Sequence, residues 1–146
     1  MVSSVELPQR EDMIMASLAE DILIVDDEPD ARLILKLILR RILKYPVREA
    51  SSGAEALELV QQQMPRLIIL DLTMPGLDGV TFLKQVRSNE QMSRVPVVVF
   101  TTYPLSEQQA EDLRVPAGMI IQKGNMKADK LGEIILSALD GGQYLM

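Results

Sequence analysis

The stretch that decides the fold lies near the middle of the chain, at residues 67–79, and reads LIILDLTMPGLDG. Its four leading aliphatic residues, with no polar alternation, are typical of a strand buried on both faces of a parallel sheet. Asp71 follows directly, and the Pro75-Gly76 and Asp78-Gly79 pairs predict a loop after it. Asp71 is therefore expected at the carboxyl end of a central strand, where open α/β sheets bind their ligands. Alone, it could equally begin an ordinary turn.

A second aliphatic run also ends in carboxylates, because residues 22–27 read ILIVDD. If the two strands are parallel neighbours about 4.8 Å apart, Asp26, Asp27 and Asp71 crowd one small space. Like charges at such distances either take up protons or share a cation. Mg²⁺ prefers oxygen ligands of this kind. The two runs together predict a magnesium site.

The first helix is predicted from residues 28–30 to about Leu43, and it has more apolar positions than one face needs. We expect one arc to face the core and a second arc to make a permanent contact. The partner would be either Met13, Ile14 and Leu18 of the amino-terminal extension, residues 1–20, or a second copy of the chain. The predicted core arc is Leu33, Ile34, Leu37, Ile38 and Ile42, and the second arc is Leu35, Leu39 and Leu43.

Three more strands and four more helices follow the same alternation. We expect an edge strand at 45–50, a helix to about Gln63 capped by Ser52 and Glu55, a helix at 80–87, a strand at 96–100, a short helix at 106–113 stopped by Pro116, a strand at 119–121 and a closing helix at 128–139. The inward positions of the later helices are predicted to be Phe82, Leu83, Val86, Leu131, Ile134, Ile135 and Leu139. This alternation predicts a doubly wound α/β fold with a five-stranded parallel sheet and five helices.

Composition limits the function. A chain of 146 residues, 47% apolar and 25% charged, is one globular domain's worth. Its net charge of −6 argues against direct binding to nucleic acid. Cysteine and histidine are absent, which excludes disulfides, thiolate sites and histidine-based catalysis. No membrane span or signal peptide is evident, so we expect a cytoplasmic protein.

The domain boundaries follow from the same patterns. We expect residues 1–20 to be an extension, either frayed or a short helix opened by Pro8. Residues 21–142 are expected to form the domain, and residues 143–146 a tail. Few residues remain after the last strand, so we expect a stand-alone module rather than one with an attached effector.

The motifs at the strand ends, taken together, carry a resemblance. They are IVDDEP at residues 24–29, DLTMPGLDG at 71–79, Thr101 after the fourth strand and Lys123 after the fifth. Over about residues 21–139 the chain resembles the receiver domain of two-component response regulators, the family that includes the chemotaxis protein CheY. The resemblance implies a flavodoxin-like sheet with strand order 2-1-3-4-5.

The resemblance also implies the chemistry. Asp71 would be the phosphoacceptor, taking a phosphoryl group from a sensor histidine kinase or a phosphotransfer protein. Asp27 and Asp71 would ligate Mg²⁺ directly, the backbone carbonyl of Thr73 would add a ligand, and Asp26 would help through water. Phosphoryl transfer needs mainly positioning and charge neutralisation, which agrees with these roles. The output would be binding to a downstream protein target, with a homodimer as another possible assembly.

Lys123 and Thr101 would contact the phosphoryl oxygens, and Thr102 and Tyr103 on the following loop would modulate the response. Otherwise, Lys123 is a solvated strand-end lysine, Thr101 an ordinary strand residue, and Tyr103 simply a loop aromatic. The chain departs from the family's usual pattern at three positions: at Ile120 an aromatic residue is common, at Gly124 proline is common, and at Thr102 the residue is usually small. These departures question switching by an aromatic ring on the fifth strand.

Two other functions fit parts of the pattern. A Mg²⁺-dependent phosphatase of the haloacid dehalogenase type would use Asp71 as a transient nucleophile, but such enzymes resemble Asp-x-Asp, and Thr73 stands at the second position. A receiver used only as a scaffold would not need the complete acidic set. The receiver with a phosphoacceptor role therefore remains the expectation.

Overall fold

The computed structural model describes residues 21–74, 79–102, 104–124 and 127–139. Five parallel strands form one sheet in the order β2-β1-β3-β4-β5, as predicted. The strands are β1 Ile22–Val25, β2 Val47–Ala50, β3 Leu67–Leu70, β4 Val97–Thr101 and β5 Ile120–Gln122.

Within these described ranges, five α-helices alternate with the strands. They are α1 Pro29–Leu37, α2 Gly53–Gln62, α3 Gly79–Ser88, α4 Glu107–Asp112 and α5 Ala128–Leu139. A π-helical turn, Ile38–Ile42, continues α1, and a 3₁₀ turn, Ala117–Met119, precedes β5. The predicted cap of α2 is confirmed, because the Glu55 amide donates to Ser52 Oγ at 3.1 Å.

The register of the central strands fixes the site. Val25 of β1 lies opposite Leu70 of β3, so the next residues of both strands emerge at the same level. The Asp71 amide donates to the Val25 carbonyl at 2.9 Å, and the Asp26 amide donates to Ala50 at 3.0 Å. All residues of β1 and β3 are buried, which is why both runs lack polar alternation.

The prediction for the core face of α1 was wrong for Leu33, Ile34 and Leu37, and it is confirmed for Ile38. Leu35 is 1% exposed, and Ile38 and Leu39 are buried with it, whereas Leu33 and Ile34 are each 52% exposed. Leu37 is also exposed, and the Ile42 side chain lies outside what the structure describes. Leu35 and Leu39 therefore belong to the core and cannot form the second contact assigned to them. The exposed arc consists of Leu33, Ile34 and Leu37 instead.

The observed orientation of α1 is accompanied by polar contacts that apolar spacing did not show. Glu49 on β2 accepts from Arg32 Nε and forms an ion pair with Lys36 Nζ, both at 3.0 Å. Arg32 also donates to the Asp26 carbonyl at 2.7 Å. Positions 32 and 36 are thereby held against the sheet's edge strand. Because the apolar run in α1 is nearly continuous, either arc could have packed inward, and these ion pairs are consistent with the arc observed.

The remaining core assignments are confirmed. Phe82, Leu83 and Val86 of α3 are fully buried, and the predicted inward residues of α5 are buried as well. The strands β4 and β5 each begin one residue later than expected. No helix in the described ranges is long and apolar enough to cross a membrane. Residues 1–20 and 140–146, including the predicted leader helix and tail, lie outside the described residues.

Candidate functional site

The carboxyl ends of β1 and β3 place two carboxylates in the interior. Asp26 is 1% exposed and Asp71 is 4% exposed, although ionised groups are costly to bury without partners. Asp27 follows on the more open side, and Glu28 is exposed at the start of the loop leading to α1. The Glu28 amide donates to Asp26 Oδ1 at 2.9 Å, which turns the chain sharply after β1.

Lys123 supplies the positive charge that these carboxylates need. It follows β5, and its amide donates to the Thr101 carbonyl at 3.0 Å, which anchors its backbone beside β4. Its Nζ lies 2.8 Å from Asp26 Oδ2, 3.1 Å from Asp71 Oδ2 and 2.7 Å from Glu28 Oε1. One ammonium group therefore bridges three carboxylates. It also lies 5.8 Å from the centroid of the Phe100 ring, within cation–π range.

The pKa values of Asp26 and Lys123 are shifted by burial and by neighbouring charges. Burial raises the pKa of Asp26 above its ordinary value, and the nearby Asp71 charge adds to this, although bonds from Lys123 and the Glu28 amide oppose it. Burial alone would lower the pKa of Lys123, but its hydrogen bonds to Asp26, Glu28 and Asp71 outweigh that effect and raise it. Lys123 is therefore charged at neutral pH.

The other oxygen of Asp71 is held separately. Asp71 Oδ1 accepts from the Thr101 hydroxyl at 2.7 Å and from the Thr73 amide at 3.1 Å. Thr101 is the last residue of β4 and is buried. With Lys123 on Oδ2, both carboxylate oxygens are fixed, and the carboxylate is oriented before any partner arrives.

Gly79 is a further part of the site, and its role was not assigned from the sequence. It begins α3, and its amide donates to the Leu72 carbonyl at 3.2 Å. A Cβ atom at this position would lie 2.2 Å from the Asp71 carbonyl oxygen and 2.5 Å from Leu72 Cα. Only glycine allows α3 to begin so close to the backbone of the phosphoacceptor candidate.

The donor set fits a hard divalent cation. Asp26, Asp27, Glu28 and Asp71 each offer a carboxylate oxygen, and these atoms lie within 4.8 Å of one another. An octahedral Mg²⁺ with bonds of about 2.1 Å needs ligand oxygens about 3 to 4 Å apart, so small side-chain rotations would suffice. Four carboxylates against one lysine leave the cluster with excess negative charge. Glu28 was not among the predicted ligands.

The predicted site residues thus have different outcomes. Asp26, Asp71, Thr101 and Lys123 are brought into direct contact. Asp27 lies in the same acidic cluster, but its carboxylate makes no contact with Lys123 within the described part of the chain. Thr73 was predicted to contribute its carbonyl, and the structure shows its amide donating to Asp71 Oδ1. Thr102 is exposed, and Tyr103 lies outside the described residues.

The structure shows the surroundings of two of the three departures from the family pattern, Gly124 and Ile120. Gly124 adopts φ of +90°, which the ring of a proline cannot adopt, since it fixes φ near −65°. Ile120 is partly buried and lines a cavity of about 450 Å³ with Leu105, Ala110 and Val115 of the α4 region. An aliphatic side chain at this position borders space next to α4.

The fold and the carboxyl edge of its sheet together define the class of CheY-like signalling domains. The family model for the response regulator receiver domain matches residues 22–135, and the chain belongs to that family. The family is one of signalling phosphoacceptors rather than classical enzymes.

Individual relatives agree with the family assignment. An uncharacterized 14.6 kDa protein of Leptolyngbya boryana is 35% identical over 68% of this chain and 76% of its own length. The regulatory protein AtoC of Escherichia coli is 35% identical over 81% of this chain, which spans only 25% of AtoC. The chain is thus similar to a small protein and to one module of a larger one.

Solved structures give the same result. Vibrio cholerae chemotaxis protein CheY4 superimposes with a TM-score of 0.71 at 26% identity, covering 82% of this chain and 98% of that one. The receiver domain of a signal transduction histidine kinase from Syntrophus aciditrophicus gives 0.72 at 28% identity, covering 86% and 93%.

Proposed function

We propose that this receiver domain accepts a phosphoryl group on Asp71 from a phosphohistidine of a sensor kinase or phosphotransfer protein. One observation carries the proposal. The Asp71 carboxylate is held by Thr101 on one oxygen and by Lys123 on the other, at the edge of an acidic cluster. A purely structural carboxylate would not need three further carboxylates around it.

The transfer is a simple displacement. An oxygen of Asp71 attacks the phosphorus, the P–N bond breaks with its electron pair going to the imidazole nitrogen, and an acyl phosphate forms. The carboxylate's single negative charge is replaced by a group carrying about two at neutral pH. The reaction therefore adds negative charge to a cluster that already has an excess. We expect the transfer to depend on positive charge that compensates for this addition.

Mg²⁺, when bound, would supply the missing positive charge and orient the phosphoryl oxygens. Asp27 and Asp71 would ligate it directly and Asp26 would hold it through water, with the Thr73 carbonyl as a further ligand and Glu28 as a neighbouring carboxylate. Lys123 stabilises the product because its ammonium already lies 3.1 Å from Asp71 Oδ2. No second carboxylate stands at position 73 to serve as a general acid, so the residues do not favour the phosphatase alternative.

The structural response to phosphorylation would begin at the groups that donate hydrogen bonds to the Asp71 carboxylate. The Thr101 hydroxyl is 2.7 Å from Asp71 Oδ1, so a new phosphoryl oxygen offers it an alternative acceptor. Thr101 ends β4 and precedes the loop that leads to α4. We expect the segment 103–115, beside the cavity that Ile120 lines, to rearrange and to expose a surface for a downstream protein.

Intact mass spectrometry after incubation with acetyl phosphate tests the assignment. We expect Mg²⁺-dependent addition of one phosphoryl group to the full chain and complete loss of the adduct in Asp71→Asn. The matched control is Asp30→Asn, which removes an exposed carboxylate in the first turn of α1. Equal labelling of Asp71→Asn and the control would exclude Asp71 as the phosphoacceptor.

A further inference from the structure

The amino-terminal edge of the sheet, opposite Asp71, carries a cavity that the receiver function does not use. Its volume is about 490 Å³, within the range of small-molecule sites. It lies where the loop before β4 meets the ends of α3, α4 and α5. Four arginines line it: Arg66, Arg87, Arg94 and Arg114.

The arginines do not all have the same role. Arg87 is a structural member, because it donates to the carbonyls of Ser93, Val95 and Leu113 at 2.8 to 3.1 Å. Arg114 donates from one NH₂ group to the Arg87 carbonyl at 2.7 Å. Its remaining guanidinium nitrogens make no contact within the described residues, and neither does the exposed side chain of Arg94. Arg66 has an interaction of its own and is not counted among the ligand's partners.

The cavity concentrates positive charge. Burial lowers the pKa of Arg87, and the positive charge of Arg114 lowers it further, so these two guanidinium groups repel each other. None of the described lining residues is acidic, although the chain has a net charge of −6. Cations crowded in this way favour binding of an anion.

The backbone holds Arg114 in place at some energetic cost. Its φ is +56°, a left-handed conformation that is unfavourable for a residue with a side chain. This residue ends the turn after α4 and brings its guanidinium to the cavity that Arg87 also lines. A glycine or asparagine would satisfy the turn more easily, so the turn alone does not explain the arginine.

The rest of the wall is apolar. Val95, Met119 and Leu139 are buried at the cavity, and Pro96 and Pro116 border it. Guanidinium groups bind phosphate through paired N–H donors, and apolar walls accept a flat organic body. We propose that this cavity binds a phosphate-bearing organic anion of nucleotide size, with Arg94 and Arg114 on the phosphates and Met119 and Leu139 against the body.

Titrating the ¹⁵N-labelled full chain with ADP, in EDTA to keep metal off the acidic edge, tests the proposal by NMR. We expect saturable amide shifts at Arg94, Val97, Arg114 and Met119, at least tenfold weaker binding of pyrophosphate, and no saturation with adenosine. Absence of saturable ADP binding below about 1 mM would overturn the proposal. Equal affinity for ADP and pyrophosphate would also overturn it, because the apolar wall would then contribute nothing.

Variants locate the site. Arg94→Gln combined with Arg114→Gln should weaken ADP binding at least tenfold, and Arg94→Gln alone, on an exposed loop, at least threefold. The matched control replaces Arg40 and Arg41, two exposed arginines near the end of α1, with glutamine and should stay within twofold. Asp71→Asn should bind ADP unchanged, which separates this site from phosphorylation. Equal losses in the Arg40/Arg41 control would show nonspecific attraction and refute the site.

Discussion

The two edges of the sheet carry opposite charges, and the described residues neutralise these charges to different degrees. At the carboxyl edge, four carboxylates surround Lys123, and the lysine bonds three of them. At the amino edge, four arginines line a cavity that has no acidic residue among its described walls. The acidic edge is therefore partly neutralised by Lys123, whereas the described lining of the basic edge contains no acidic side chain.

The difference shows that a small domain can hold two oppositely charged clusters at separate edges of one sheet. The strands are only three to five residues long, yet they separate two charged clusters at opposite ends of a buried apolar core. An apolar interior screens poorly, so like charges gathered at one edge act on each other strongly. We therefore expect that a substitution at one edge leaves the other edge unchanged.

The largest effect is expected at the acidic edge from Gly79→Ala. The added Cβ would meet the Asp71 carbonyl oxygen at 2.2 Å, and backbone cannot move aside easily. We expect a loss of about 2–4 kcal/mol in the free energy of unfolding, together with loss of phosphorylation. Urea unfolding and intact mass would measure the two effects.

Gly132→Ala in α5 is the matched control for that change. A Cβ there meets only Ile38 Cγ2, at 4.0 Å, which is ordinary contact. The substitution should be neutral or should stabilise the helix by about 0.5–1 kcal/mol. If Gly79→Ala were as well tolerated as Gly132→Ala, the close approach of α3 to Asp71 would have no energetic role.

The next effect in size is expected from Lys123→Ala. Removing the ammonium leaves the buried Asp26 and Asp71 facing each other, and we expect a loss of about 2–3 kcal/mol at pH 7 without metal. Because the folded pKa of Lys123 is raised, its stabilisation is complete below the ordinary lysine pKa and is lost only as pH rises through the folded value. The measurement is urea unfolding with and without Mg²⁺, which should restore part of the loss.

Phosphorylation of Lys123→Ala should still occur to some extent, but hydrogen exchange in segment 103–115 should no longer respond to beryllofluoride. Lys130→Ala provides the control, since Lys130 is exposed and pairs only with Glu133, at 3.6 Å. A full response in Lys123→Ala would mean that the lysine does not transmit the signal.

The acidic edge was predictable because its residues directly follow strands. Asp26, Asp71 and Thr101 each stand at a strand end, so the apolar runs locate them and parallel pairing brings them together. Gly79 and Glu28 were missed because their roles depend on how close the backbone passes, which spacing does not encode. The basic edge left no motif at all, since its arginines come from four separate segments.

The error in α1 has the same physical origin. Residues 33–39 are apolar except for Lys36, so helical periodicity supports more than one inward arc. The observed rotation is associated with the pairing of Arg32 and Lys36 with Glu49 on a neighbouring strand, a contact between distant positions. Local pattern can identify the helix, but tertiary ion pairs contribute to its orientation.

A smaller effect is expected from Asp27→Ala on metal binding. As a proposed direct ligand of the cluster, its loss should weaken Mg²⁺ at least tenfold, whereas Asp26→Ala should cost less because its proposed role is through water. Titration of both variants without a phosphodonor measures this difference. If neither variant changes the affinity, the acidic edge is not a magnesium site.

The smallest effect concerns Glu49, which joins β2 to α1 behind the acidic edge. Burial opposes ionisation of Glu49, but hydrogen bonds from Lys36 and Arg32 outweigh it and lower the pKa. A lowered folded pKa means that the stabilisation is present above the unfolded value and is lost as pH falls through the folded one. Because the side chain is one-third exposed, solvent screens the pairs, and Glu49→Gln should cost about 0.5–1 kcal/mol at pH 7.

Urea unfolding of Glu49→Gln and the unmodified chain, measured at pH 7 and again in acid below the folded pKa of Glu49, checks both the size and the sign. The two proteins should differ at pH 7 and converge in acid, because Glu49 is then protonated and resembles glutamine. Arg32 also donates to the Asp26 carbonyl, so a loosened Arg32 should lower Mg²⁺ affinity slightly as well. A difference that persisted unchanged in acid would assign the effect to packing and would detach this ion pair from the acidic edge.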